Sequence, residues 1–237
     1  MTRSFRAVLM AVILGCLTGA PLATPVLAQT APAKFEIADY TGLLAAAASG
    51  DVARIRALTR TGADANVRDD FGRRPLMVAG YRRDIAAAKA LLVADADVNA
   101  WDSQACDLIT IAAVANDVPM LKLAIASGGN TALVTSPYDG TALIAAAHLG
   151  HVEVVQTLIA AKAPLNHVNN LAWAALIEAI VLGNGGENNL ACVKALVGAG
   201  ANVNLPDGEG KTRLALARAR LSGYRRSTES RRRAALI

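Results

Sequence analysis

The residues best suited by type and spacing to do chemistry are the three histidines, His148, His151 and His167. His148-x-x-His151-x-Glu153 sets two imidazoles and a carboxylate at a spacing a zinc site can use. Gly150 falls between the two imidazoles and marks a turn. The histidines then straddle that turn and need not share a face, so they read as structural residues rather than metal ligands. Gly183-Asn-Gly-Gly-Glu-Asn-Asn189 is glycine-rich, but it lacks the Lys and following Ser/Thr that a phosphate loop needs. The chain has no Gly-x-Ser-x-Gly elbow, no dinucleotide fingerprint and no nucleophile–base–acid set. The expectation is a chain that is not an enzyme, with no cofactor and no metal.

The elements that would position these residues recur with a fixed period. An aliphatic residue followed three positions later by alanine appears as Leu43/Ala46, Leu76/Ala79, Ile109/Ala112, Leu143/Ala146, Leu176/Ala179 and Leu214/Ala217, in steps of 33, 33, 34, 33 and 38 residues. An Asn- or Gly-bearing segment closes each unit: Gly62–Asn66, Ala94–Asn99, Ala163–Asn166 and Gly200–Asn204. Ala132 stands where the third unit should have Asn. The first half of each unit is alanine-rich, which favours helix and lets backbones approach closely. The second half carries larger apolar residues at helical spacing: Ile55/Leu58, Leu91/Leu92, Leu121/Ile125, Val154/Val155/Leu158/Ile159 and Val193/Leu196/Val197. Neither helix can bury its apolar side alone, so the units must stack into a solenoid with one continuous core.

Gly140-Thr-Ala-Leu143 followed by Gly150-His-Val-Glu-Val-Val155, with Gly72 and Pro75-Leu76 two units earlier, resembles the ankyrin repeat, whose period is 33 residues. The resemblance covers residues 37–223 in about six repeats. It implies an all-α solenoid of stacked helix–turn–helix units joined by short β-hairpin loops, with a polar C-terminal cap. The signature histidine is missing, replaced by Leu44, Met77, Thr110, Ile144, Ile177 and Ala215, which should loosen hydrogen bonding at the helix start. His151 falls on the family's Gly-His position, where it should tie adjacent repeats together. The glycine-rich run becomes a five-residue insertion between the helices of repeat 5. It is either a tolerated surface loop or a rim of the binding face. Arg83 stands where repeat 4 has Gly150 and repeat 3 has Asn116, a turn position that often needs a left-handed backbone.

The ends of the chain read differently. Arg3 and Arg6 precede an apolar run from Ala7 to Leu17, and Val26-Leu-Ala28 offers a cleavage site. This is the pattern of a secretory signal over residues 1–28, followed by a linker, residues 29–36. Ile13-Leu-Gly-Cys16 competes as a lipobox that would put a lipid on Cys16. The expected compartment is the bacterial periplasm. Beyond residue 207, nine Lys/Arg face only Glu209 and Glu229, a net +7, whereas residues 29–207 carry 13 basic and 17 acidic residues, a net −4. The basic segment, ending in an Arg-rich tail at 224–237, is either a solvated cap or a weak contact for an anionic membrane surface. In an exported protein it does not point to nucleic acid. Of the two cysteines left after cleavage, Cys106 falls in a hairpin of repeat 3 and Cys192 on the second helix of repeat 5. Two repeats of separation exceeds the 7 Å Cα limit for a disulfide.

The family implies a binding function, with a protein partner met by hairpin tips and the exposed ends of first helices on the concave side. The chain is expected to act as a monomer. On this register the surface comprises Phe71, Arg73, Tyr81 and Arg82 in repeat 2, Tyr138, His148 and Leu149 in repeat 4, and Leu171, Trp173, Val181 and Leu182 in repeat 5. Repeat 3 adds Ser103, Gln104, Cys106, Val114 and Ala115. The alternative is that Trp173, Val181 and Leu182 pack on neighbouring repeats. Similar periplasmic ankyrin proteins are linked to oxidative-stress defence, which is the role the resemblance suggests. The other function that fits is an envelope-associated structural protein, held by the tail or a lipidated Cys16.

Overall fold

The computed structural model describes residues 30–181 and 186–205. The export signal, Cys16, Leu182, the Arg-rich tail and the sixth repeat lie outside the described residues. A short helix α1 (Lys34–Ala38) is followed by five helix pairs: α2 (Gly42–Ser49) with α3 (Val52–Arg60), α4 (Pro75–Tyr81) with α5 (Ile85–Val93), α6 (Leu108–Val114) with α7 (Val118–Ala126), α8 (Ala142–Leu149) with α9 (Val152–Ala160), and α10 (Ala175–Val181) with α11 (Glu187–Gly198).

The two helices of a pair differ in what they bury. First helices are apolar nearly all round and sit between neighbouring layers, as such helices must. Leu76, Met77, Val78, Ala79 and Gly80 of α4 are all buried. Each first helix packs on the next, and the second helices form a parallel row behind them. Every expected aliphatic/alanine marker from Leu43/Ala46 to Leu176/Ala179 is buried. Second helices bury one stripe, led by Ile55, Leu91, Leu121, Leu158 and Leu196. Val197 departs from the expected stripe and is exposed.

One local device makes the turn in each of the first four pairs. The carbonyls of Ala46, Ala79, Ala112 and Ala146 accept the N–H of Asp51, Asp84, Asp117 and His151 at 2.9–3.0 Å, closing the first helix. The carboxylates of Asp51, Asp84 and Asp117 then accept the N–H of Arg54, Ala87 and Met120, opening the second helix. Between closure and cap the backbone turns left-handed, with φ of 72° at Gly50, 57° at Arg83, 52° at Asn116 and 72° at Gly150. Arg83 therefore does hold the strained conformation its position suggests. Its guanidinium donates to the Ala115 carbonyl of the next repeat.

Asparagines tie the outer loops together. The side-chain oxygens of Asn66, Asn99 and Asn166 accept the N–H of Asp97, Asn130 and Asn202 at 2.7–2.8 Å. The first two also donate to the carbonyls of Asp95 and Gly128. Ala132 cannot make this link, and Thr131 supplies a substitute by donating to the Ala161 carbonyl at 3.2 Å.

Three expectations need correction. The hairpin loops contain no strands among the described residues. They are tight turns with a single isolated bridge, Thr135 to Gly140. The insertion in repeat 5 is partly helical: Glu187, Asn188 and Asn189 start α11, which has 12 residues against nine in α9. The presumed linker is also structured, since α1 begins at Lys34 and Thr30 is bonded to Gln104. Cys106 and Cys192 are both buried thiols, not joined to one another.

The turn generates a stability prediction. Replacing Arg83 with Gly removes the left-handed strain on a Cβ-bearing residue, at the loss of one exposed hydrogen bond. Arg83→Gly is expected to raise unfolding free energy by about 0.5–1 kcal/mol, read as a higher urea midpoint at unchanged slope.

Candidate partner-binding surface

The hairpin loops that present this surface are each shaped by one side-chain oxygen. Asp69 Oδ1 accepts the N–H of Phe71 and Arg73 at 2.9 and 2.8 Å. Asp102 Oδ1 does the same for Gln104 and Cys106, and Asn169 Oδ1 for Leu171 and Trp173. In repeat 4 the Ser136 hydroxyl takes this role for Tyr138 and Gly140 at 3.3 and 3.4 Å. Repeat 4 has one residue more than its neighbour. The structure absorbs it at Ser136, which turns left-handed (φ 75°) so that Thr135 donates to the Gly140 carbonyl in its stead. The loops are joined to one another by Ser103 N–H to Phe71 O, Ser136 N–H to Ala105 O and Asn170 N–H to Tyr138 O.

Arg73 is the main correction to the expected surface. It is 3% exposed. Its Nε donates to Asp69 at 2.7 Å, its Nη2 donates to Glu36 at 2.8 Å, and its guanidinium lies 4.6 Å from the centre of the Phe71 ring. Tyr40 completes the cluster by donating to Asp69 at 2.6 Å. Burial alone would push the Asp69 carboxyl up, but the hydrogen bonds from Tyr40 and Arg73 outweigh it and hold it below the usual carboxylate range. Burial likewise works against the Arg73 charge, and its bonds to Asp69 and Glu36 more than restore it. Burial, then donation to Asp69, push the Tyr40 hydroxyl well up. Arg73 is thus an internal clamp between repeats 1 and 2. Its phase on the second limb of the hairpin turns it toward the neighbouring repeat, and sequence reading overlooked the acid at Glu36 that meets it.

Tyr81 also turns inward. It packs against the small cluster of Met77, Ala100, Cys106 and Ile111, and burial pushes its hydroxyl up. Cys106, expected by phase on the surface of repeat 3, is fully buried there. Phe71, Arg82, Leu149 and Leu171 are exposed, while Tyr138, His148, Trp173 and Val181 are half-buried. The tips of repeats 4 and 5 are brought together by Asn170, which donates through its backbone to Tyr138 and through its side chain to Pro137.

The histidines are separated as their turn requires. His151 Nδ1 lies 2.9 Å from the Ala113 carbonyl, tying repeat 4 to repeat 3. His148 Nδ1 lies 3.0 Å from Glu178 Oε2, and Asn169 donates to the other oxygen of that carboxylate at 3.2 Å. Glu178 is 4% exposed and was missed by sequence reading. Its signal was a charge at a phase where the other repeats have Ala45, Val78, Ile111 and Ala145. Trp101, exposed at the foot of the third hairpin, was also missed, although it is one of only two tryptophans. Thr110, at the missing-histidine position, pairs its hydroxyl with Thr135 of the next hairpin at 2.8 Å.

The Arg73 cluster has a stability consequence. Arg73→Ala leaves two carboxylates without their cation and is expected to cost about 3 kcal/mol or more in denaturant unfolding. The Asp69 contribution is present above the ordinary carboxylate pKa and is lost as pH falls from there through the depressed folded value. Wild type should therefore lose stability on acidification below about pH 4, and Arg73→Ala should lose less over that interval.

Comparison with known proteins agrees with this architecture. Residues 109–207 match the family model for ankyrin repeats in three copies. The chain is 33% identical over 184 residues to YahD of Escherichia coli (strain K12), a protein named for its ankyrin repeats, spanning 77% of this chain and 90% of that one. An ankyrin repeat domain of Acinetobacter baumannii AYE superimposes with a TM-score of 0.73 at 44% identity, covering 77% of this chain and 92% of that one. The ankyrin repeat protein EF0377 superimposes with a TM-score of 0.71 at 28% identity, over 76% and 93% of the two chains. Stacked helix pairs, recurring hairpins and these relatives together establish that this chain belongs to the ankyrin repeat proteins, whose repeats form protein-interaction modules.

Proposed function

We propose that this chain is an exported, non-catalytic binding protein of the bacterial periplasm that holds a partner protein on the hairpin tips and first-helix ends of repeats 4 and 5. One observation carries the reading. Leu149 and Leu171 are 40% and 38% exposed, on neighbouring repeats. Half-buried Tyr138, His148 and Trp173 accompany them, and the hydrogen bonds from Asn170 fix the two tips side by side. Large apolar groups exposed on adjacent, rigidly spaced tips gain free energy when a partner covers them, and Trp and Tyr commonly act as anchors in such contacts. Arg82 extends the surface with a positive charge toward repeat 2. The compartment rests on the N-terminal signal pattern, and a role in oxidative-stress defence rests on the family association alone.

Tagged full-length protein is purified from its own cell envelope and bound proteins are identified by mass spectrometry. Leu149→Asp combined with Leu171→Asp, and separately Trp173→Ala, should reduce recovery of the partner at least tenfold with helical circular dichroism unchanged. Equal recovery from wild type and folded variants would remove this surface. The N-terminus of the same sample should begin at Gln29, and a lipidated Cys16 would instead place the protein on a membrane. Arg73 is no probe of the surface, because its loss reports on folding.

A further inference from the structure

The hairpin face of repeats 2 and 3 is already occupied, by this chain itself. Thr30 donates its N–H to Gln104 Oε1 at 2.9 Å, and Gln104 Nε2 donates back to the Thr30 hydroxyl at 3.3 Å. Those two residues are 74 positions apart, so the segment before α1 reaches across repeat 2 to the tip of repeat 3. Six residues later Glu36 is paired with Arg73. The same Glu36 oxygen accepts the N–H of Ala33 at 2.6 Å, which fixes the bend between the two contacts. Residues 30–36 thus form a strap with two footholds, an amide at one end and a guanidinium at the other.

The strap is held differently from the repeats. Helix α1 has five residues and buries none of them, and Phe35 is 73% exposed. A helix this short has no stability of its own. Packing against the core starts only at Ile37 and Tyr40. Removing Glu36 does not strand the buried guanidinium either, because Arg73 keeps Asp69 and the Phe71 ring. The footholds left behind would be Gln104, with a donor and an acceptor released, Arg73 with an open Nη2, and the half-exposed Phe71 ring beside that guanidinium.

We propose that residues 30–36 are a displaceable internal ligand of this face, and that the partner contact at repeats 2 and 3 is a short, glutamate-bearing protein segment that places a carboxylate on Arg73 in the strap's stead. This rests on the binding function proposed above and adds to it the chemistry of the partner at one end of the array.

The test uses the full chain with the strap weakened from its own side, Thr30→Pro with Glu36→Gln, which leaves Gln104 and Arg73 untouched. The probe is a fluorescent peptide with the sequence of residues 30–36, read by anisotropy. The opened chain should bind it saturably and at least tenfold more tightly than wild type, and a peptide with Gln in place of its glutamate should bind at least tenfold more weakly. A folded, opened chain that binds no better than wild type, or binds both peptides equally, overturns the proposal. A second measurement stands if that variant fails to fold. In wild type, the Ala33 amide should exchange with solvent at least a hundredfold faster than the α2 amides. Equal protection would make the strap a permanent part of repeat 1 and overturn its displacement. Neither failure touches recovery of the partner through Leu149, Leu171 and Trp173, which tests the binding function separately.

Discussion

The surface of this protein depends on one interaction made four times, a side-chain oxygen at the foot of each hairpin that accepts two backbone N–H groups. The loop is too tight for a strand ladder to satisfy those donors, and a buried N–H without a partner is costly. Asp69, Asp102, Ser136 and Asn169 solve the problem with three kinds of group: a carboxylate twice, a hydroxyl and an amide oxygen. Repeats 2, 3 and 5 share one pattern of contacts, and repeat 4 reaches the equivalent contacts with one residue more. That shared pattern allows one tip to donate to the next, and it sets the distance between side chains that a partner would meet.

The choice of group at that foot is not neutral. Ser136 and Asn169 carry no charge, and the Asn169 amide finds its acceptor in Glu178. Asp69 is charged and mostly withdrawn from water, and it needs compensation that its two backbone donors do not fully supply. Arg73 and Tyr40 provide it, and Arg73 in turn draws in Glu36. A local loop requirement thus propagates into the ionic cluster that fastens the first repeat to the second. Asp102 makes the same backbone contacts with no cation bonded to it, and burial raises its pKa in spite of them and of the Arg73 charge nearby. At Asp69 the hydrogen bonds from Tyr40 and from the Arg73 side chain and backbone together outweigh burial and hold the carboxyl low.

The layered fold was legible in the sequence because its determinants are repeated. Leu76 alone says little, but five aliphatic/alanine pairs at one phase can only be the buried faces of stacked helices. The hairpin feet were legible too, seven residues before Leu76, Ile109, Leu143 and Leu176, although they were passed over for the more familiar signature positions. Features made once were not legible. Glu36 and Arg73 are 37 residues apart, and no periodicity connects them. Arginine at a hairpin is exposed by habit, so only the packed structure shows it turned inward. The helical start of the insertion was not legible either, because no other second helix begins with a counterpart of Glu187–Asn189.

A solenoid gains specificity from its departures from the repeat, and here the departures are distributed along the stack. Repeats 1 to 3 hold the irregular ionic contacts and carry the chain's own N-terminal segment. Repeats 4 and 5 keep their tips open, with neutral hairpin feet and exposed leucines. The buried Glu178 between them is satisfied by His148 and Asn169 rather than by any external group. A partner that lies along the whole face therefore meets two physically different halves. One half offers apolar area that is free at the outset, and the other offers polar footholds that are released only when the strap leaves. Binding at the open half places the partner's remaining length over the strap at high effective concentration. A modest affinity for the covered half is then sufficient to displace the strap.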